Sequence, residues 1–424
     1  MRRAVVTGMG VVSPLGNDVE SYWSALLAGR SGVSFITDFP TDKLRSDIAA
    51  SVSDFDPLRY LTRKETEIYG RVTQFSLAAA VEAVEMAGLG GFLKEDMPGA
   101  SERARPAVDL ARIGCLMSTG QGSVDIFEQQ IEKSRERGPR AVSPFFVPGV
   151  MPNSGTALIA MRYGFMGPSY SMASACATGT HSIATAALMI EAGEADVIVA
   201  GGAEAATRLN TVAGFGNARA LAKARDGDPT RASRPFDVDR KGFVMGEGAG
   251  ALVLEEEAHA RARGARVLAR LAGFGMTTDA QHLTRPHVEG KGVRLAIERA
   301  LERGGIGPDA VDYVNPHATS TPQGDVAEIR ALEQVFGTRL SQIPMSATKS
   351  MIGHLLGGAG GVETIAVVCT LRDQKIHPSI NVDQLDPDFP IDVVTSPRQT
   401  NIRYALKISA GFGGHNCVLL LERA

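Results

Sequence analysis

PSYSMASACATGTHSIATAALMI, from Pro168 to Ile190, decides how the fold is read. Pro168 to Ala175 is an extended run of mostly small residues, and Cys176 follows it. Thr178 and Thr180 then lead into a segment with little polar surface: Ile183, Ala184, Ala186, Ala187, Leu188, Met189, Ile190. A helix that is apolar nearly all round is a buried helix. The stretch therefore predicts a strand, a sharp turn and a buried helix with a cysteine in its first turn. A helix start offers unpaired N–H groups and partial positive charge. Both favour thiolate over thiol, and the thiolate is the nucleophile. Ala173, Ser174, Ala175, Ala177 and Gly179 leave room for a substrate to approach. A free cysteine also serves as a small core residue, so this stretch alone does not separate nucleophile from packing.

The chain has 424 residues, 44% hydrophobic and 21% charged, an ordinary soluble composition long enough for two domains. A net charge of −3 gives no general affinity for nucleic acid or an acidic membrane. No apolar run approaches the length needed to span a bilayer, and MRRAVVTGMGVVSPLG reads as a first strand rather than a signal peptide. Cys115, Cys176, Cys369 and Cys417 are far apart, with neither redox-pair nor zinc spacing. Free thiols and no metal site follow, and a reducing, cytoplasmic location is expected. Glycine is in excess, with 47 residues clustered in GxG runs, which points to tight strand–helix turns.

Outward from the cysteine, the pattern alternates strand and helix. Arg3 to Val12 reads as a buried strand, Val19 to Ala28 as a short helix and Glu65 to Met86 as a long one. Thr41 to Leu61 reads as an irregular excursion, and Gly91 to Pro106 as a loop. Ala111 to Thr119 is a strand ending at GQGS, Ser143 to Asn153 an aromatic loop, and ADVIVAGGAEAA a strand of the kind found in parallel sheets. Charge peaks at Ala260 to Ala265, which sets a boundary between residues 1–260 and 261–424. The second part repeats the first. Val267 to Phe274 is again a strand, Val293 to Leu301 again a helix, and GGHNCVLLLER matches GAGALVLEEE. PMSATKSMIGHLLGGAGG sits where SMASACATGTHSIATAA sat, placing Lys349 opposite the cysteine. A repeat of roughly 200 residues is too long for a solenoid. It predicts two similar αβ halves whose buried helices meet at the centre.

Three positions in the second half carry chemistry. His317 lies in NPHATST after the apolar run Val311 to Val314, at a strand's end, where α/β folds build sites. Lys349 and His354 flank Met351-Ile352-Gly353 in a small, apolar segment. A lysine there needs a partner, because an isolated buried charge is costly; Glu363, further along the same predicted helix, is the candidate. Each residue alone reads better as packing or as an ordinary surface side chain. Together with Cys176 they match a thiol nucleophile with imidazole donors. Neither histidine has an adjacent Asp or Glu to orient it.

On these residues the chain resembles the β-ketoacyl-acyl carrier protein synthases, the elongating condensing enzymes of type II. The resemblance runs through VVTGMGVVSPLG, SPFFVP, SACATG, AGGAEA, ASRPFDVDRKGFVMGEGAG, GFGMTTDAQH, NPHATSTPQGD, SATKSMIGHLLGGAGG and GFGGHN. It implies the thiolase fold, two duplicated αβ halves in an α-β-α-β-α layering. It further implies an acyl thioester on Cys176 and decarboxylation of a malonyl unit assisted by His317 and His354. The backbone N–H groups of Cys176 and Phe412 would hold an oxyanion, and Lys349 would pair with Glu363. Thr319 and Thr321 would bind the pantetheine arm, and Gln121, Phe146, Gly411 and Gly413 would line the substrate site. Phe412 would gate the acyl pocket. No cofactor is implied beyond the phosphopantetheine that the substrate carries on acyl carrier protein. That carrier would dock on Arg140 and Arg219, with Arg63, Lys64 and Lys223 as secondary contacts. A homodimer is implied, with a heterodimer beside a chain-length subunit as the variant.

The chain departs from the family pattern at Ala318, usually glycine, at His415, usually threonine, and at Ala410, often phenylalanine. Gln121 stands where an apolar residue is usual, and Glu65 and Glu67 where the family is more basic. These bear on acyl preference and carrier choice rather than on the reaction. They leave open a specialised polyketide or polyene ketosynthase beside a non-catalytic partner. A non-catalytic subunit is disfavoured by the presence of Cys176. A thiolase is disfavoured because Cys417 falls after the turn that would carry its second cysteine.

Overall fold

The computed structural model describes residues 2–92 and 107–424. The loop expected from Gly91 to Pro106 falls mostly outside the described residues. Ten strands form the main sheet: β1 (Ala4–Val12), β2 (Ile113–Ser118), β3 (Val197–Glu204), β4 (Gly248–Glu256), β5 (Ala269–Thr278), β6 (Tyr313–Asn315), β7 (Pro344–Met345), β8 (Asp392–Val393), β9 (Tyr404–Gly411) and β10 (His415–Arg423). Their order is β8-β7-β6-β9-β10-β5-β1-β4-β3-β2. The longer helices are α1 (Val19–Leu27), α2 (Arg71–Met86), α3 (Val124–Arg137), α4 (Ser154–Tyr163), α5 (Thr178–Ala192), α6 (Leu209–Asn217), α7 (Lys291–Gly304), α8 (Pro322–Phe336) and α9 (Ala359–Asp373).

The order repeats outward from the middle. β1 and β5 meet through two residue pairs, Val5–Arg270 and Val6–Ala269. On one side β1–β4 and β4–β3 are antiparallel and β3–β2 parallel. On the other β5–β10 and β10–β9 are antiparallel and β9–β6 parallel. Strands with both faces covered read as near-continuous apolar runs, and alternate residues feed different cores. In β4, Leu252 and Leu254 face a central core while Ala249, Ala251 and Val253 face an outer one. In β10, Cys417, Leu419 and Leu421 face the same central core, and Val418 and Leu420 a second outer one. The central core is filled by α5 and α9, one outer core by α2 and α4, and the other by α7 and α8. This is the pair of αβ halves expected from the repeat, in the five-layer arrangement that the resemblance implies.

Two of the GxG runs do different work from that expected. Gly8 and Gly10 lie inside β1, where a Cβ would come within 2.0 Å of the Ala83 and Ala79 carbonyl oxygens of α2. Gly273 and Gly275 lie inside β5, where a Cβ would come within 2.2 and 2.0 Å of the Ala300 and Ala296 carbonyl oxygens of α7. These glycines let a helix backbone rest directly on a strand, at the same place in both halves; they are not turns.

Three local expectations change. The helix read from Glu65 is two helices. Arg63–Thr66 is closed by a capping box between Thr62 and Glu65, and α2 begins only at Arg71. Between them Gly70 passes so close to Ser123 and Asp125 that a Cβ would lie 2.6 Å from each, and Asp125 accepts the Arg71 N–H at 2.9 Å. The aromatic loop contains a short helix, Phe146–Val150. Pro168 to Ala175 makes no strand of its own. It runs along β2 through a single bridge, Cys115 with Ser169.

Candidate active site

Cys176 is not in the first turn of α5. It sits in a separate 3-10 turn, Ala175–Ala177, that precedes the helix. Ala175 enters that turn at φ 50°, a left-handed conformation that is strained for a residue with a side chain. Thr178 holds the turn: its Oγ1 accepts the Ser174 N–H at 2.9 Å and donates to the Ala175 carbonyl at 2.7 Å. The end of β9 crosses close by. A Cβ on Gly411 would lie 3.0 Å from the Cys176 nitrogen and 2.8 Å from the Ser174 oxygen. Only glycine brings the Phe412 backbone this near the sulfur.

The backbone N–H groups of Phe412 and of Cys176 itself both favour negative charge on Sγ, as does the Lys349 ammonium. Burial outweighs them and pushes the thiol up to about 12. A helix end is worth about 0.3–1 kcal/mol, less than one pH unit at 1.36 kcal/mol per unit. It cannot offset desolvation of this size. Cys176 rests as a thiol, so burial overrides the preference for thiolate that the helix start suggests.

His317 leaves the end of β6 in a loop bent by two left-handed residues, Ala318 at φ 38° and Ser320 at φ 68°. Glu328 on α8 fixes this loop, accepting the His317 N–H at 2.6 Å and the Ala318 N–H at 2.7 Å. His354 is 2% exposed and held by its backbone, which donates to the Val244 carbonyl at 2.7 Å. The two imidazoles meet edge to face with centroids 5.3 Å apart, and the Phe243 ring covers His354 at 5.4 Å. Nδ1 of His317 and both ring nitrogens of His354 are buried without a hydrogen-bond partner among the described residues. Burial, and then the positive charge of Lys349, hold both histidines well below the usual imidazole range. They are neutral at physiological pH.

Lys349 lies on a separate short helix, Lys349–Ile352, and not on the helix of Glu363. The pair forms nonetheless, Nζ to Oε1 at 2.5 Å, with both side chains at most 2% exposed. The other carboxylate oxygen meets a second buried lysine, Lys407 of β9, also at 2.5 Å. Glu204, at the end of β3, is fully buried and accepts from Thr119 Oγ1 at 2.9 Å and the N–H groups of Gly120, Gln121 and Gly357 at 3.0, 3.3 and 3.1 Å. Burial pushes its carboxyl up to about 7 against those bonds. It fastens the Gly120 loop to the Leu356–Gly358 turn of the other half.

Sequence reasoning missed Lys407, Glu328 and Glu204. Two of them carried a signal. Lys407 interrupts an otherwise apolar strand, and Asp325 and Glu328 put two carboxyls on the buried face of α8.

Cys176, His317, His354 and Phe412 line one cavity of about 440 Å³. Thr319, Thr321 and Gly411 line it too, with the two threonine hydroxyls 3.0 Å apart. Phe412 is 36% exposed and lies 6.1 Å from Phe215, ring to ring. The exposed side chains of Arg219, Lys241 and Arg285 give the cavity a basic rim. The remaining candidates lie elsewhere. Gln121 is exposed, its side-chain oxygen 3.4 Å from Thr211 Oγ1 on α6, and does not line the cavity. Phe146 packs on Phe127 at 5.9 Å, away from it. Gly413 shapes the turn at φ 85° without lining the cavity. Arg140 is exposed in the turn after α3, and Lys64 borders a different groove.

The family model for the β-ketoacyl synthase N-terminal domain matches residues 1–260, and that for the C-terminal domain residues 268–383. The chain is 43% identical over 425 residues to 3-oxoacyl-(acyl-carrier-protein) synthase 2 of Vibrio cholerae serotype O1, covering 100% of this chain and 99% of that protein. It is 42% identical over 421 residues to the chloroplastic 3-oxoacyl-(acyl-carrier-protein) synthase I of Arabidopsis thaliana, covering 99% and 86%. Among solved structures, the ishigamide ketosynthase/chain length factor matches with TM-score 0.89 at 33% identity, over 100% of this chain and 99% of that one. A type II polyketide ketosynthase in complex with its acyl-carrier protein, AntDE:AntF, matches with TM-score 0.90 at 29% identity over all of both chains. With both family models matched in sequence order and full-length relatives above 40% identity, this chain belongs to the β-ketoacyl synthase family of acyltransferases.

Proposed function

We propose that the protein elongates fatty acyl chains by decarboxylative Claisen condensation of an acyl primer with malonyl-acyl carrier protein. The observation that carries this reading is the convergence of Cys176, two neutral histidines and the Phe412 backbone on one cavity. The thiol attacks the primer thioester, and its proton leaves with the carrier's thiol. Malonyl carrier then enters, its pantetheine arm along Thr319 and Thr321. The bond to the carboxylate breaks, CO2 departs, and charge develops on the thioester oxygen, where the His317 and His354 N–H groups stabilise it. One such donor is worth about 10²–10³ in rate. Neutral imidazoles suit this step, since an imidazolium would stabilise the carboxylate that must be lost. The enolate carbon attacks the Cys176 thioester, and the Cys176 and Phe412 N–H groups hold the oxyanion. Collapse expels the thiolate, which takes a proton and restores the thiol.

The reading needs no bound cofactor, since the substrate brings its own pantetheine. Arg219, Lys241 and Arg285 would meet an acidic carrier at the rim. Exposed Met161, Met166, Tyr170 and Leu188 support a homodimer. None of the described helices is long and apolar enough to cross a membrane, and the reading places the enzyme in the cytoplasm. A second reading, a ketosynthase of a specialised polyketide or polyene pathway, is supported by the full-length match to the ishigamide protein. Supplying malonyl carrier and a panel of saturated and polyunsaturated acyl carriers tests both. Turnover of saturated primers supports fatty acid elongation. Turnover confined to conjugated primers supports the second reading, and none with any primer refutes both.

A further inference from the structure

Glu363 is shared by two lysines, and only Lys349 is the partner that the family resemblance implies. Lys407 Nζ lies 2.5 Å from Glu363 Oε2, 2.7 Å from the Ile408 carbonyl and 2.6 Å from Ser409 Oγ. Ser409 Oγ in turn meets Thr180 Oγ1 at 2.7 Å, on the first turn of the helix that follows Cys176. Lys407 is 0% exposed. Burying an ammonium is expensive, and replacing a buried ion pair by apolar side chains of similar volume is often neutral or stabilising. The fold itself does not require this lysine. In the other half, β3 runs Val197–Glu204 where β9 runs Tyr404–Gly411, and Ala200 stands where Lys407 does.

We propose that Lys407 is a positioning residue for decarboxylation: it pins the free oxygen of Glu363, fixes Lys349 through it, and leaves a net positive charge beside His317 and His354. This rests on the function proposed above. With Lys349 alone, the Glu363 pair would be neutral and its carboxylate free to turn. With both ammoniums each oxygen is engaged, and the cluster carries one unbalanced charge away from screening solvent. The titratable groups facing the cluster include Glu328 from α8, Tyr313 from β6, Tyr22 from α1, His377 after α9, Cys417 from β10 and Cys176 itself. His317 and His354 face Lys349, Lys407 and each other. After burial, the charges of Lys349 and Lys407 both act to keep these imidazoles deprotonated.

Removing the Lys407 charge makes the imidazoles easier to protonate, so activity fails at a higher pH as the solution is acidified. The experiment is the pH profile of malonyl-carrier decarboxylation by the wild-type chain, Lys407→Met and Lys407→Gln, the last retaining a polar group should Met disturb folding. Cooperative calorimetric unfolding controls for structure. The acidic limb is expected to move up by about one pH unit in either neutral variant, and in Lys407→Ala to move back when methylammonium is added. A folded neutral variant whose rate falls equally at every pH, with the limb in place, overturns the proposal. A wild-type chain that neither loads acyl groups nor decarboxylates malonyl carrier overturns the function instead, so the two failures are distinct.

Discussion

The two halves make the same turn and put it to different use. In the first, the 3-10 turn Ala175–Ala177 leads into the 15-residue helix α5. In the second, the 3-10 turn Leu356–Gly358 leads into the 15-residue helix α9. Each turn is entered by a left-handed residue, Ala175 at φ 50° and Leu356 at φ 48°. The second residue is Cys176 in one and Gly357 in the other, so the counterpart of Cys176 is a glycine and not Lys349, as the sequence repeat suggested. Gly357 has no room for a side chain: a Cβ would lie 2.5 Å from the Gly120 nitrogen. Four residues into the helices, Ser182 donates to the Leu116 carbonyl where Glu363 holds two lysines. Duplication supplied a rigid scaffold twice, and the chemistry arises where the copies differ.

If that is right, the same truncation should behave differently in the two copies. Glu363→Ala leaves two buried ammoniums unpaired and should cost about 3–5 kcal/mol. Ser182→Ala, at the matching position, loses one hydrogen bond and should cost about 1 kcal/mol. Denaturant unfolding of both variants checks this, and equal losses would break the comparison. Next in size are the histidines, which belong to the second half alone. His317→Asn and His354→Asn should each lower malonyl-carrier decarboxylation by about 10²–10³, while radiolabelled acyl groups still load onto Cys176. Loss of loading in a folded variant would show that the roles are wrongly divided.

The first half also makes a prediction of its own. Because burial holds the Cys176 thiol up to about 12, its alkylation by iodoacetamide should rise about tenfold per pH unit from pH 7 to 10. A plateau near pH 7 would mean that the turn does stabilise thiolate. The turns give the last comparison. Ala175→Gly relieves about 1–2 kcal/mol of left-handed strain against about 0.5–1 kcal/mol of added chain freedom. Its stability should rise by about 0–1.5 kcal/mol. Leu356→Gly relieves the same strain but empties a site that is 4% exposed, and should destabilise by about 2–3 kcal/mol.

Much of this was legible in the chain. The apolar run after Thr180 gave the buried helix, and the repeated strand and helix patterns gave the two halves. Residues that reach the cavity from their own turn, such as Cys176, His317 and His354, announce themselves by unusual neighbours. Glu204 does not, because its meaning lies in partners up to 153 residues away, and the apolar strand around Lys407 marks that lysine as unusual without saying what it meets. Gln121 and Phe146 do not line the cavity of the single chain for the converse reason. Sequence places a residue in a loop but does not say which way the loop turns, and both loops turn from the cavity. The thiol's charge state was misjudged because the helix start is visible in sequence and the depth of burial is not.

The central claim is that one cysteine of four carries the acyl chain. Peptide mass spectrometry after incubation with an acyl carrier protein tests it directly. The account predicts a thioester on the Cys176 peptide alone, discharged on adding malonyl carrier with release of CO2. Acylation of Cys115, Cys369 or Cys417 instead, or a Cys176 thioester that malonyl carrier leaves untouched, would contradict it.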